Sequence, residues 1–146
     1  MSIVLVDDHL LLRLLLDQEP SALRPEGASL ATTGLWYHRL CRALTNMAVV
    51  GSLTRQLGSV DPAVAAEVLG SVIELPDTIE VVSLRTLGWP MGELVDTGAR
   101  LNLLSLEALA AARHLSAELC LAEVDDNTPL RDAATESAVP VRIVTG

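Results

Sequence analysis

Ile3-Val4-Leu5-Val6-Asp7-Asp8, continued by His9-Leu10-Leu11-Leu12-Arg13-Leu14-Leu15-Leu16, is the stretch that decides the fold. Four apolar, mostly β-branched residues read as a short strand buried on both faces, and the acids fall where that strand should end. Open α/β sheets bind ligands outside the carboxyl ends of their strands, so Asp7 and Asp8 mark a candidate site. The competing reading is that Asp8 only caps the next helix while Asp7 is solvated in the turn. From Leu10 to Asp17 leucine recurs on nearly every side, which predicts a helix buried on most faces.

Working outward, 146 residues suffice for a single domain, residues 1–146, and are too few for two ordinary ones. Half the residues are hydrophobic but only 2 % are aromatic and Phe is absent, so the core must be built from Leu, Val and Ala. Such a core suits helices stacked on a buried sheet. Arg13 interrupts the longest apolar run before it reaches the roughly 18 residues of a membrane span, so no membrane partner is expected. The chain opens directly on a strand, with no basic region or small-residue cleavage site, and a cytoplasmic location is the expectation. Cys41 and Cys120 lack Cys-x-x-Cys neighbours and are expected to be free buried thiols. All ten basic residues are Arg, and the net charge of −9 argues against tight, non-specific nucleic-acid binding by the bare chain. A divalent metal or a basic partner would change that.

In chain order, residues 18–29 carry two prolines and a glycine and read as a surface loop. Thr32 or Thr33 offers an N-cap for a helix from Gly34 through Leu44, with Trp36, Tyr37, Leu40, Cys41 and Leu44 at helical spacing. Core packing is the expected role of Trp36 and Tyr37, in preference to stacking on bases. Val49 to Leu57 predicts a helix or turn, and Asp61-Pro62 starts a clearer helix through Glu74. Ile79 to Val82 predicts a strand, and Ser83 caps a short helix that should end near Gly88 and Pro90, before a separate segment from Glu93 to Gly98. Leu103 to Leu115 is helical; Ala117 to Ala122 is a strand; Pro129 to Ser137 is helical, capped by Thr128; Val139 to Val144 is a closing strand. Alternating strands and helices predict a three-layer α/β/α sandwich around a small, mainly parallel sheet of three to five strands.

If the Ala117 strand lies beside the first with both carboxyl ends on one edge, Asp7 faces an acid from Glu123, Asp125 or Asp126. Convergent carboxylates repel unless a divalent cation or a shared proton relieves them, and a Mg²⁺ or Mn²⁺ site follows as an expectation. The alternative is that these acids form only a polar loop. Glu107, in the Leu103 helix, is a further candidate, or else belongs to the solvent side of an amphipathic helix. His9, His38 and His114 show no metal-ligand spacing. Glycine-rich phosphate loops and a serine-hydrolase elbow are absent.

Val4 to His9 resembles the opening of bacterial receiver domains, but Lys is absent and no Asp lies between Asp17 and Asp61 to accept a phosphoryl group. The order of elements looks more like a PIN domain, the α/β/α nuclease fold of many toxin-antitoxin toxins and RNA-processing enzymes. Val4 to Leu16 matches the family's opening and Leu103 to Val144 its close. The resemblance places Asp7 at the first metal-binding acid and His9 where Ser or Thr is usual. It places Glu123, or else Asp125 or Asp126, at the final acid. The family's second acid has no acidic counterpart, His38 standing near that place. Either Ser105 or Glu107 matches the third; these lie about 200° apart on a helix, so at most one points into the site. The resemblance implies a metal-dependent ribonuclease in which Asp7, Glu107 and Glu123, with Asp125 or Asp126, hold Mg²⁺ or Mn²⁺ and His38, Arg39 or Arg42 meet the substrate. It equally allows a scaffold with lost chemistry that acts through a small, basic, antitoxin-like protein, and an oligomer is compatible with either.

Overall fold

The computed structural model describes residues 2–25, 27–46 and 52–145. The described elements are β1 (Ile3–Val6), α1 (Asp8–Leu15), β2 (Ser29–Thr33), α2 (Gly34–Thr45), α3 (Ser52–Gly58), α4 (Pro62–Ile73), β3 (Ile79–Val82), α5 (Leu84–Asp96), α6 (Leu103–Leu115), β4 (Glu118–Ala122), a 3-10 turn (Glu123–Asp125), α7 (Thr128–Glu136) and β5 (Val141–Val144). The strands form one parallel sheet in the order β3-β2-β1-β4-β5. Leu5 pairs with Ala31 on one side and Leu119 on the other, which makes β1 the central strand.

Side chains alternate across a strand, and β1 divides its residues between two helical layers. Val4 and Val6 pack with Leu10, Leu11, Leu40 and Val68. Leu5 turns the other way, joining Leu119, Leu121, Leu87, Leu109 and Leu130. The result is the expected α/β/α sandwich, with both sheet faces covered and a core almost free of aromatics. Trp36 is one exception, buried in the second layer, while Tyr37 donates its hydroxyl to the Val72 carbonyl at 2.7 Å and ties α2 to α4. Cys41 and Cys120 are free thiols, and burial pushes the Cys120 thiol up to about 12. No helix among the described residues is long and apolar enough to cross a membrane.

Three local expectations are corrected. The loop expected through Ser29 ends one residue earlier, at β2, whose Leu30 and Ala31 face opposite layers and whose Thr32 hydroxyl donates to the Val6 carbonyl at 2.8 Å. The helix expected to stop near Gly88 and Pro90 instead runs to Asp96 and absorbs the separate segment from Glu93. An interior proline costs about 3 kcal/mol, but burial of Leu87, Met91 and Leu94 along one stripe outweighs it at about 1.5–3 kcal/mol each. The cap of α7 is Asn127, whose Oδ1 accepts from the Leu130 N–H at 3.1 Å, so Thr128 is already helical. The expected helix or turn at Val49 lies partly outside the described residues, and α3 accounts for the rest.

Candidate functional site

The sheet order reverses direction between β1 and β4: the chain builds β2 and β3 on one side of β1, then β4 and β5 on the other. The carboxyl end of that boundary is where open α/β sheets form a ligand crevice. Asp7 stands there, one residue beyond β1. Its Oδ1 accepts from the Leu10 N–H at 2.9 Å, capping α1, and its Oδ2 accepts from the Ala122 N–H at 2.8 Å across the boundary. Asp7 is fully buried. The alternative reading of the two acids is thus reversed, because Asp7 is the cap and Asp8 has other partners.

Asp8 and His9 fall in the first turn of α1, and Asp125 in the turn after β4. Arg39, reaching over from α2, donates from Nε to Asp8 Oδ2 and from Nη2 to Asp8 Oδ1 at 2.7 Å. The same Nη2 meets both oxygens of Asp125 at 3.0 Å. His9 Nδ1 lies 2.8 Å from Asp125 Oδ2 and 3.0 Å from Asp8 Oδ1. One guanidinium and one imidazole therefore join the acids that follow β1 and β4.

The electrostatics follow from that closeness. Burial, together with the neighbouring Asp125, holds the Asp7 carboxyl well above the usual range. Burial alone would lower His9, but its bonds to Asp125 and Asp8 outweigh this and raise it to about 9. Burial would raise Asp125; hydrogen bonds from His9 and Asp7 and the charge of Arg39 instead hold it well below the ordinary carboxylate range. Arg39 stays charged, held by Asp8 against the cost of burial. Arg39 and the raised His9 thus offset the carboxylates, and burial beside Asp125 favours the protonated form of Asp7.

Ligand atoms of Asp7, Asp8, His9 and Asp125 all lie within 4.8 Å of one another, so the cluster could hold a metal ion. The donor set, mainly hard oxygens with one imidazole, suits a small divalent cation. Arg39 already engages the oxygens of Asp8 and Asp125.

The other expected site residues are placed differently. Glu123 and Asp126 are exposed and outside the cluster, and Asp126 pairs with Arg131 at 2.9 Å. Of the three acids after β4, Asp125 alone turns inward. His38 and Arg42 are exposed residues of α2 that the cluster does not include, whereas Arg39 sits within it. Ser105 accepts from Asn127 Nδ2 at 3.2 Å, facing the loop after β4, while Glu107 faces the start of α2. Neither belongs to the four-residue cluster. Asp8, marked with Asp7 as a candidate at the strand end but not among the expected metal-holding acids, belongs to the cluster, and so does His9, which showed no metal-ligand spacing; the signal for His9 is its adjacency to the two acids at the start of α1.

Glu107 is fully buried, which overturns its reading as the solvent side of a helix; residues 105–112 of α6 are buried on every side. Its Oε1 accepts from the Leu35 N–H at 2.9 Å, near the positive end of α2. Its Oε2 is the sole buried side-chain nitrogen or oxygen without a partner among the described residues. A methyl group built on Gly34 would lie 3.8 Å from that oxygen and 4.0 Å from the Val82 carbonyl oxygen, so the two oxygens flank one small space. Glu107→Gln keeps an acceptor for the Leu35 N–H and puts an amide, which carries no charge at any pH, in place of the carboxyl group. It is expected to stabilise the fold by about 1 kcal/mol in a urea titration, since an unpartnered buried carboxylate oxygen costs that much or more. A destabilised variant would mean that Oε2 has a partner in solution.

No protein-family model matches this chain, and no curated protein matches it. The class that fold and site define is an α/β/α domain with a buried acid and cation cluster at the switch point of its sheet.

Proposed function

We propose that this chain is a PIN-like domain acting on nucleic-acid phosphodiesters, as a Mg²⁺- or Mn²⁺-dependent ribonuclease of low activity. The observation that carries the reading is the convergence of Asp7, Asp8, His9 and Asp125 at the switch point of a parallel sheet. A bound divalent cation would supply positive charge that acidifies an attacking water and offsets charge developing on the phosphodiester. Asp8 and Asp125 would supply its carboxylate oxygens, while Asp7, held by two backbone N–H groups, fixes the spacing of α1 and β4 around them. Arg39, with a side chain 38 % exposed, is placed to meet a phosphate through its planar fork of donors.

A second reading is favoured by one specific observation. Arg39 and His9 already engage the oxygens of Asp8 and Asp125, as in a scaffold whose chemistry is lost and which acts through a protein partner. The net charge of −9 suits a basic, antitoxin-like one. Cleavage of a mixed single-stranded RNA pool separates the two. The ribonuclease should cut slowly, faster with Mn²⁺ than with Mg²⁺, and Asp125→Asn should reduce the rate by roughly 10–100-fold or more. Equal, background-level rates for folded wild type and Asp125→Asn would favour the scaffold.

A further inference from the structure

The guanidinium of Arg39 sits on the same oxygens that a divalent cation would need. It spans both oxygens of Asp8 and both of Asp125, where His9 Nδ1 also meets Asp8 Oδ1 and Asp125 Oδ2, while backbone N–H groups hold both oxygens of Asp7. A cation lodged between these carboxylates would stand within a few ångströms of a fixed positive charge, in surroundings where water screens poorly. Arg39 and a metal therefore cannot share Asp8 and Asp125.

Two further features decide what happens instead. Asp8 is fully buried and shares with Asp125 two counter-charges, Arg39 and His9; if Arg39 departs, His9 alone faces both carboxylates, and another cation must replace the guanidinium. Arg39 itself is more than a third exposed, on a long side chain anchored in α2, and can turn to solvent without disturbing the sheet. A phosphodiester offers the guanidinium the same paired oxygens as a carboxylate.

We propose that Arg39 is a built-in, exchangeable counter-cation: it and a divalent cation exclude one another on Asp8 and Asp125, and a phosphodiester that draws Arg39 outward admits the metal. Metal and nucleic acid then bind cooperatively, each raising the affinity for the other by the same factor, as linkage requires. The proposal rests on the phosphodiester reading above for its ligand, but concerns binding and not cleavage.

Calorimetric titration of Mn²⁺ into wild type, Arg39→Gln and Arg39→Lys tests it, each with and without a short, cleavage-resistant 2′-O-methyl oligoribonucleotide, and with Mn²⁺ binding to the oligonucleotide alone subtracted. Wild type should bind Mn²⁺ about tenfold more tightly with the oligonucleotide present. Arg39→Gln should bind Mn²⁺ about tenfold more tightly than wild type without oligonucleotide, and the oligonucleotide should no longer change its affinity. Arg39→Lys, with the charge but not the fork, should fall between them. It carries the test alone if circular dichroism finds Arg39→Gln unfolded. Wild-type Mn²⁺ affinity in the folded variants, or no effect of the oligonucleotide on wild type, overturns the proposal. The expected pattern of binding without any RNA cleavage would uphold the exchange and refute the ribonuclease. Wild-type cleavage with Mn²⁺ affinity indifferent to Arg39 would do the reverse.

Discussion

Asp7→Ala is expected to lower the free energy of unfolding by about 3 kcal/mol, because one side chain serves two buried donors. Loss of Oδ1 removes the cap from α1 and leaves the Leu10 N–H without its acceptor, at about 1 kcal/mol. Loss of Oδ2 strands the Ala122 N–H at the end of β4, where no water reaches, at roughly 1–3 kcal/mol. Relief from burying a carboxyl group offsets part of this but restores neither bond. Asp7→Asn keeps one acceptor and should lose about half as much. Urea titrations of the three proteins measure the series; wild-type stability in Asp7→Ala would show that the two N–H groups find other acceptors. Any catalytic effect of an Asp7 variant is therefore mixed with a structural one, which is why Asp125, with a side chain 17 % exposed and no backbone N–H bonded to it among the described residues, is the cleaner probe of chemistry.

Stability should also fall as pH rises from 6.5 to 9, by up to roughly 3 kcal/mol. His9 titrates at about 9 in the folded chain against 6.5 for an ordinary histidine, because Asp125 and Asp8 hold its proton. A group raised in this way contributes its full stabilisation below 6.5, loses it progressively through the interval, and contributes nothing above 9. Asp7, also raised, acts in the same direction: its proton favours the folded form and is lost as pH passes its folded value. Asp125 has the opposite sign. Held low, it stabilises above the ordinary carboxylate range and loses that contribution only in acid. Urea midpoints across pH 6 to 9.5 measure the slope, and His9→Gln should flatten most of it. A flat wild-type profile would mean that His9 carries no extra proton in the cluster.

The elements legible from sequence were those whose pattern is local and strong. Ile3 to Val6 and Leu103 to Leu115 begin and end where composition alone sets them, because a β-branched run and an uninterrupted Leu/Ala run each favour one backbone state. β2 was missed because Ser29-Leu30-Ala31-Thr32-Thr33 holds a single large apolar residue; it is a strand because β1 and β3 flank it and supply its hydrogen bonds. The course of α5 through Pro90 was hidden for a related reason: a local penalty is visible in the sequence, while the buried stripe that outweighs it exists only after folding.

At the site the division is the same. Sequence placed acids at the ends of the first and fourth strands, since a strand that ends in Asp can be read from neighbouring residues. Which of Glu123, Asp125 and Asp126 turns inward depends on a single 3-10 turn. That Arg39 joins Asp8 to Asp125 depends on α2 crossing α1 at the sheet's edge, a contact between residues 31 and 86 positions apart. Sequence by itself determined the sandwich and the acidic edge, because hydrophobic period and strand ends are local properties. Tertiary structure alone decided which charges meet there, because the energy of a buried ion pair depends on distances of a few ångströms that no local pattern encodes.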